Sequence, residues 1–173
     1  MVSLSRTWNI LVKPWRCTLL IKPELIPASR FIDKRGQLVK FDPSYEEYVA
    51  VNFSNVFRGM HMTEGQEKIV TCLKGRIIDY AVDARKKSDT FGQLYIFSLS
   101  EETGSLHIPA GFLHGYYSPC LSVVHYAMDT DFDPDRYVTV KAESIKGIPI
   151  MGCFIRSKKD EEAMTLEEYK EMT

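Results

Sequence analysis

Residues 57–92, FRGMHMTEGQEKIVTCLKGRIIDYAVDARKKSDTFG, form the stretch that decides the fold we expect for this chain. Two short apolar runs, at 68–73 and 76–85, flank the pair Lys74-Gly75. Glycine tolerates the positive φ of a tight turn, and two runs separated by such a pair are typical of a β-hairpin. The stretch therefore predicts two adjacent antiparallel strands.

The register of this hairpin places charges on a face that is otherwise apolar. Side chains alternate between the faces of a strand, so one face would carry Lys68, Val70, Cys72, Ile77, Asp79, Ala81 and Asp83. Lys68 would then have Asp79 and Asp83 as diagonal neighbours, at about 7–8 Å between backbones. Buried charges are costly unless they are paired, and mutually perturbing charges are over-represented at active sites. We interpret the cluster as functional rather than as a compensated structural ion pair.

The rest of the chain predicts further short strands. They lie at 37–41, 93–99, 105–108, 122–128 and 137–140, with Gly and Pro turns between them. Residues 1–30 carry apolar runs that prolines interrupt, which is typical of edge strands. Only 164–172 is predicted as a helix, with Thr165 as its N-cap. These patterns predict one all-β domain over 1–173, a β-sandwich or barrel with a short C-terminal helix.

Composition excludes several classes of function. The chain has 173 residues, 45% of them hydrophobic and 26% charged, as in ordinary soluble globular proteins. A net charge of −1 gives no electrostatic basis for binding nucleic acid or a membrane surface. There is no apolar run of transmembrane length and no signal-peptide pattern. Four scattered cysteines without a CxxC pair are typical of buried thiols in a cytoplasmic protein.

The chemically capable side chains favour proton transfer without a metal. The four histidines, His61, His107, His114 and His125, lack metal-ligand spacing. His107 and His125 are expected at the surface, with Tyr126 consequently facing inward. His61, Lys68, Asp79 and Tyr126 together suit removal of a proton next to a carbonyl, because they supply a base, a cation for the enolate oxygen and an acid. The forked guanidiniums of Arg35 and Arg58 suit phosphate oxygens.

Motifs in the same order along the chain resemble a known family. They are Phe31-x-Asp33-x-Arg35-Gly36, Arg58-Gly59-Met60-His61, Lys68-Ile-Val with Asp79, Val82-Asp83-x-Arg85 through Gly92, Ile108-Pro109-x-Gly111-Phe112-x-His114-Gly115, and Ser157-x-Lys159-Asp160. The chain resembles the dTDP-4-dehydrorhamnose 3,5-epimerases, cupin-type jelly-roll enzymes that act on nucleotide-linked 4-keto-6-deoxy sugars. The resemblance covers about residues 31–160.

The resemblance implies a role for each matching residue. His61 would be the base, Asp160 its dyad partner, Lys68 the enolate stabiliser held by Asp79, and Tyr126 the acid on the opposite face. The substrate would be bound by Phe31, Arg35, Asn52, Arg58, His114, Phe132 and Lys159. The resemblance further implies no metal, no cofactor, and a homodimer with N-terminal strands exchanged between its subunits.

Departures from the family pattern leave alternatives open. Lys40 stands where an acidic residue is usual, on the nucleobase side, so a CDP- or GDP-linked sugar is an alternative to dTDP. Phe132 stands where the family commonly has a tyrosine, so C3, C5 or both could be inverted. A non-catalytic cupin that binds sugar nucleotides and a metal-dependent cupin are the alternatives from other classes.

Overall fold

The computed structural model describes residues 29–40, 46–149 and 154–172, with the backbone alone at 29, 30, 39 and 40. Of the segment 1–30, where edge strands are expected, only Ser29 and Arg30 are described, as the start of a strand, and the exchange of N-terminal strands between subunits lies outside the described residues. None of the helices within these ranges is long and apolar enough to cross a membrane.

Eleven strands of the described chain form two antiparallel sheets. The strands are β1 Ser29–Asp33, β2 Gly36–Lys40, β3 Glu47–Asn52, β4 Val56–Thr63, β5 Lys68–Lys74, β6 Arg76–Asp83, β7 Leu94–Ser100, β8 Ser105–Ile108, β9 Phe112–Ser118, β10 Ser122–Met128 and β11 Tyr137–Thr139. The first sheet has the order β1-β2-β3-β10-β5-β8, and the second has the order β11-β4-β9-β6-β7. The prediction of an all-β sandwich is confirmed.

The hairpin predicted around Lys74-Gly75 is wrong, because β5 and β6 belong to different sheets. β5 pairs with β10 and β8, whereas β6 pairs with β7 and β9. Gly75 turns the corner between the sheets at a φ of 79°, and a Cβ there would lie 2.4 Å from the carbonyl oxygen of Leu121. A hairpin would place both apolar faces on the same side of one sheet. The corner instead lets the two faces pack against each other, which removes both from water.

An apolar layer fills the space between the two sheets. Val70, Cys72 and Val124 from the first sheet meet Ile77, Ala81 and Tyr116 from the second, and all are at most 4% exposed. The strand alternation predicted for β5 and β6 is therefore confirmed, although the partners face each other across the sandwich. This layer fixes how far apart the inward-facing polar side chains of the two sheets lie.

A second apolar layer covers the outer face of the second sheet. Phe57, Met60 and Tyr80 point outward there and pack beneath Val140 and Leu166. Because both faces of β4, β6 and β9 are covered, these strands are buried on nearly every residue. The covering segment contains two short 3-10 helices, Pro134–Arg136 and Ala142–Ser144, and two α-helices.

The two α-helices differ in how well the sequence predicts them. The helix α2, Leu166–Glu171, begins after Thr165 in a capping box with Glu168, so the tail prediction is confirmed. The helix α1, Lys158–Glu161, was not predicted. It is a single turn with Ser157 as N-cap, too short to show an apolar period, yet it carries Asp160.

Candidate active site

His61, which is partly exposed, pairs with the buried Asp160 between β4 and α1. His61 Nε2 lies 2.7 Å from Asp160 Oδ1, and the aspartate side chain is 1% exposed. Burial lowers the pKa of His61, against the opposing effect of Asp160, and the charges of Lys68 and Lys159 lower it further. Burial alone would raise the pKa of Asp160, but His61, Ser157 and Arg35 hold it below its usual value. The pair therefore combines a neutral imidazole with an ionised carboxylate at neutral pH.

A bulge in β4 brings Arg58 and His61 to the same face of the strand. Residues three apart in a regular strand point to opposite faces. In β4 the register shifts between Arg58, which pairs with Tyr116, and His61, which pairs with His114. Gly59 lies in the shift at a φ of 124°. The irregularity therefore aims both side chains into the sandwich.

Lys68, Asp79 and His114 form the charged centre of the sandwich interior. Lys68 comes from β5 in the first sheet, and Asp79 comes from β6 in the second. Burial lowers the pKa of Lys68 to about 8, against the opposing charge of Asp79. Asp79 is fully buried, and its Oδ2 lies 2.9 Å from His114 Nε2. Lys68 and Asp79 thus face the same interior from opposite sheets, close enough for the charge of Asp79 to act on the pKa of Lys68.

Asp83 does not join this cluster, contrary to the hairpin register. Its carboxylate accepts hydrogen bonds from the guanidinium of Arg85 and from the hydroxyls of Ser88 and Thr90. The side chain is fully buried at the end of β6, where it orders the loop that follows. Its partners follow it closely in sequence, so Asp83 has a structural role.

Tyr126 reaches the same interior from β10. Its ring lies 6.2 Å from that of Tyr116 and 6.3 Å from that of His114, measured between centroids. Burial raises the pKa of Tyr126 well above its ordinary value, so the phenol keeps its proton. His125 points the other way, 3.6 Å from Glu47, and His107 is exposed beside Glu67. The predicted facing of these three side chains is confirmed.

Two arginines lie at the same end of the sandwich. Arg35, in the turn between β1 and β2, is bound by Asp33 through two donors, and its Nη1 lies 3.5 Å from Asp160 Oδ2. Arg58 donates from Nε to Asn52 Oδ1 at 2.6 Å. Both guanidiniums are therefore oriented by a neighbouring side chain.

Asn52, for which the resemblance implies a nucleotide contact, lies in the interior beside Arg58. Asn52 is fully buried. Its Oδ1 also accepts from the hydroxyl of Tyr116 at 3.2 Å, and its Nδ2 donates to Ser122 Oγ at 3.1 Å. Both amide atoms are engaged away from solvent, so Asn52 orients the guanidinium of Arg58, and its direct contact with the nucleotide stays a prediction.

Aromatic side chains border the outer side of His61. The rings of Phe132 and Tyr137 lie 5.2 Å apart, and Lys159 Nζ lies 4.0 Å from the centre of the Tyr137 ring. Phe31, on β1, and Phe132 are about half exposed, at 58% and 48%. Tyr137 was not among the predicted site residues, since only its β-branched neighbours on β11 marked the strand.

Two further features of the described chain bear on metal and thiol chemistry. Within the described ranges, no three His, Cys, Asp or Glu side chains gather where they could hold a metal ion. Cys72 is buried as predicted, but Cys120 is exposed in the turn before β10, which corrects the expectation that it is buried. Cys17 and Cys153 lie outside the described residues.

Relatives that carry one name match the sequence of this chain over different shares of its length. A relative from Mycolicibacterium smegmatis, named dTDP-4-dehydrorhamnose 3,5-epimerase, is 32% identical over 84% of this chain and 81% of its own. The alignment to the Salmonella typhimurium protein of that name is 48% identical but spans only 36% of either chain.

Solved structures extend the similarity to the fold. The crystal structure of dTDP-4-dehydrorhamnose 3,5-epimerase from Sulfolobus tokodaii is 31% identical, with a TM-score of 0.66 over 80% of this chain and 87% of that one. A double mutant of ChmJ, a 3'-monoepimerase from Streptomyces bikiniensis in complex with dTDP, is 25% identical, with a TM-score of 0.66 over 82% and 81%. The cupin-type jelly roll is thereby confirmed.

The sequence model of one family matches most of the chain. The match runs over residues 27–168, and the family is described as dTDP-4-dehydrorhamnose 3,5-epimerase, a family of isomerases. It includes β1 to β11, the dyad and the first residues of α2. The chain belongs to the dTDP-4-dehydrorhamnose 3,5-epimerase family.

Proposed function

We propose that this protein inverts C3, C5 or both in a dTDP-linked 4-keto-6-deoxy sugar through an enolate intermediate. The observation that carries the proposal is the neutral His61 beside the ionised Asp160, with the Lys68 ammonium acting on the same imidazole. A base and a cation in one buried space are what proton removal next to a ketone requires.

His61 would take the proton from the carbon next to the C4 ketone. With Nε2–H donating to Asp160 Oδ1, the lone pair of Nδ1 is left to act as the base. The C–H electron pair then forms a double bond to C4. The π electrons of the C4 carbonyl move onto its oxygen, which becomes the enolate oxygen. The carboxylate of Asp160 then stabilises the imidazolium that His61 has become.

Lys68 would stabilise the negative enolate oxygen. Lys68 is half-buried, and the loss of water that lowers its pKa also leaves its charge less screened than in bulk solvent. Asp79 keeps that ammonium protonated in the free enzyme, and His114 occupies the other side of Asp79. A lysine whose pKa is lowered beside a buried carboxylate also argues against a protein that only binds the sugar.

Tyr126 would return a proton to the other face of the carbon. It comes from β10 in the first sheet, whereas His61 comes from β4 in the second, so a sugar between them is reached from two sides. The phenol gives its proton as the enolate collapses to the ketone. The phenolate and the imidazolium then exchange protons with solvent, which restores both groups.

The two arginines would bind the diphosphate of the nucleotide. Their guanidiniums are held by Asp33 and Asn52 at one end of the sandwich. The Streptomyces bikiniensis relative in the comparison was solved with dTDP, which favours this nucleotide over its CDP and GDP counterparts. That relative is a 3'-monoepimerase. Its activity, together with the lack of a hydroxyl on Phe132, makes inversion at C3 alone the second candidate function.

The proposal includes a cytoplasmic homodimer acting in deoxysugar biosynthesis. Among the described strands, β7 lies at the edge of the second sheet, and its consecutive side chains Tyr95, Ile96 and Phe97 are each more than one third exposed. An unpaired edge with exposed apolar side chains is a typical site for association with another chain. Size-exclusion chromatography with light scattering would test the dimer.

Hydrogen exchange with solvent tests the reaction directly. The protein would be incubated in D2O with dTDP-4-keto-6-deoxyglucose, and in parallel with the CDP and GDP compounds, while deuterium at C3 and C5 is followed by NMR. Label at both carbons would establish the 3,5-epimerase, and label at one would identify the centre inverted. No label with any nucleotide, from folded protein that still binds the sugar, would favour the binding module.

The His61→Ala variant tests the assignment of the base. We expect turnover to fall by about 10²- to 10⁴-fold, the usual contribution of a positioned acid or base, while dTDP still binds. His107→Ala is the matched control, because His107 is exposed beside Glu67 and lies opposite the exposed Ile69, away from the interior. Retained turnover in His61→Ala would refute the role of His61.

A further inference from the structure

The ring of Tyr137 contacts three side chains, one of which is the proposed base His61. Its centroid lies 5.5 Å from that of His61 and 5.2 Å from that of Phe132. The Lys159 ammonium sits over its face at 4.0 Å. A cation at this distance from an aromatic face is attracted by the negative charge of the π-system.

The backbone places Tyr137 beside His61 by register. β11 pairs with β4 so that Tyr137 lies opposite Thr63, and Thr139 lies opposite His61. Directly opposite residues of paired strands point to the same face, so Tyr137 is a diagonal neighbour of His61. The tyrosine therefore covers the imidazole on the side that faces solvent.

We propose that Tyr137 is a positioning residue that holds the Lys159 ammonium beside His61 and shields the imidazole from water. Lys159 is otherwise exposed on the single turn α1, next to the buried Asp160. Among the residues that the structure describes, the Tyr137 ring is the contact that keeps this long side chain's ammonium at the site. This inference rests on the proposed function only in calling His61 the base.

The groups that act on His61 come from every element packed around it. They are Asp160 and Lys159 from α1, Lys68 from β5, His114 from β9, Tyr137 from β11 and, through Asp160, Arg35 from the turn after β1. Burial and the two lysines lower the pKa of His61, while Asp160 acts against them. Burial also raises the pKa of Tyr137, so its phenol stays neutral while the histidine titrates.

Removal of the Tyr137 ring should change the pKa of His61 through two effects of the same sign. Water that reaches the imidazole stabilises the charged form, and departure of the ammonium removes a repulsion. Both effects raise the pKa of His61. Loss of the hydroxyl alone does neither, because phenylalanine keeps the aromatic face.

Titration of His61 by NMR tests the inference without any substrate. The chain has four histidines, and His61→Asn identifies the signal of His61 by its loss. We expect a higher His61 pKa in Tyr137→Leu and an unchanged value in Tyr137→Phe. We also expect a higher value in Lys159→Met, which keeps the stem of the side chain and removes the charge.

The combination of variants separates positioning from packing. Lys159→Met should raise the His61 pKa less in a Tyr137→Leu background than in the wild type, because the ammonium has already left. Lys158→Met is the matched control, since Lys158 is exposed and pairs with Glu162. An unchanged His61 pKa in Lys159→Met would overturn the proposal, even if Tyr137→Leu fails to fold.

The activity profile distinguishes this inference from the proposed function. If both hold, the acidic limb of kcat/KM in Tyr137→Leu moves to higher pH together with the NMR titration. An NMR shift in a protein that never exchanges deuterium into substrate would support the positioning role and refute the epimerase. An active enzyme whose His61 pKa is the same in wild type and in Tyr137→Leu would support the epimerase and refute the positioning role.

Discussion

The charge state of each interior group follows from its burial before any partner is considered. Burial disfavours the charged form, so it lowers the pKa of His61 and Lys68 and raises that of Tyr126. Each shift favours the protonation state that the proposed reaction needs, except that Lys68 comes close to losing its proton. Asp79 limits that loss.

We therefore expect a bell-shaped pH dependence of kcat/KM, which reports groups of the free enzyme. Activity should fall on the acid side as His61 gains a proton, below the usual histidine pKa of about 6.5. It should fall on the basic side near pH 8 as Lys68 loses its proton. In Lys68→Arg the basic limb should disappear from the residual activity, because a guanidinium stays charged. An unchanged basic limb would show that another group causes it.

Asn52 gives a second prediction at this scale. Asn52→Ala should weaken dTDP binding by roughly tenfold or more, because a hydrogen bond to a charged group contributes about 1.5–3 kcal/mol. The loss should appear in KM and in calorimetric Kd more than in kcat. Ser122→Ala is the control, since it removes the other amide partner and leaves Arg58 bound. Equal dTDP affinity in wild type and Asn52→Ala would contradict the positioning of Arg58.

Most of the interior residues were predictable from the sequence, whereas the contacts through which they act were not. The alternation in β10 and the family motifs identified His61, Lys68, Asp79 and Tyr126. The burial of Asn52 depends on partners 64 and 70 positions away in sequence, Tyr116 and Ser122, which no local pattern indicates. Tyr137 was not predicted either, because its contacts with His61, Phe132 and Lys159 come from three separate parts of the chain.

Among the elements, β4 shows how one irregularity defines the site. A regular strand would point Arg58 and His61 to opposite faces, and the phosphate and the sugar ring could not be bound from the same side. The register shift at Gly59 brings both inward. A Cβ on Gly59 would lie 2.5 Å from the Cα of Gly115, so the neighbouring backbone leaves no room for a side chain.

Gly59→Ala should therefore cost stability and activity together. We expect a loss of about 1–3 kcal/mol in the free energy of unfolding, as for other overpacked sites, and turnover reduced beyond that loss. Gly104→Ala is the matched control, because Gly104 also has a positive φ, of 75°, but a Cβ there meets nothing within 4 Å. Chemical denaturation and kinetic assays of the two variants would separate the cost of a side chain at positive φ, which both share, from the cost of the contact with Gly115, which only Gly59→Ala has. Similar losses in both would contradict the role of the bulge.

Strands were predictable as elements, whereas their partners were not. The runs at 105–108 and 122–128 coincide with β8 and β10, because short alternating segments bounded by turns are a local signal. The strands that pair with β5 depend on how the apolar faces of the two sheets pack against each other. That packing is a property of the whole sandwich and leaves no local pattern in the sequence. The single turn α1 has too few residues for a period, so its Asp160 was found through the family motif alone.

At the scale of the whole molecule, the shifted groups predict how stability depends on pH. The folded pKa of His61, Asp160 and Asp83 is lowered, so the stability they contribute is present above the unfolded pKa and lost as pH falls. The folded pKa of Tyr80, Tyr116 and Tyr126 is raised, so their contribution is lost as pH rises past the unfolded value.

Urea denaturation across pH tests this expectation. The midpoint should begin to fall on the acid side near pH 6.5, where unfolded histidine gains its proton, and fall further below about pH 4 as the aspartates do. It should fall again above about pH 10, where unfolded tyrosines ionise. His61→Asn should remove the first of these steps and leave the others. A flat profile from pH 3 to 11 would contradict the burial of these groups.

The corner at Gly75 has a consequence for how specificity can change. It sends β5 and β6 into opposite sheets, so Lys68 and Asp79 approach each other over a gap whose width is set by side chains such as Val70 and Ile77. Facing sheets lie about 10 Å apart, and adding or removing one methyl group in the layer alters that spacing. The distance from base to cation is thus tuned by apolar residues that never meet the sugar. Substitutions in the core, remote from every reacting atom, are therefore a route by which this enzyme could adapt to a different sugar.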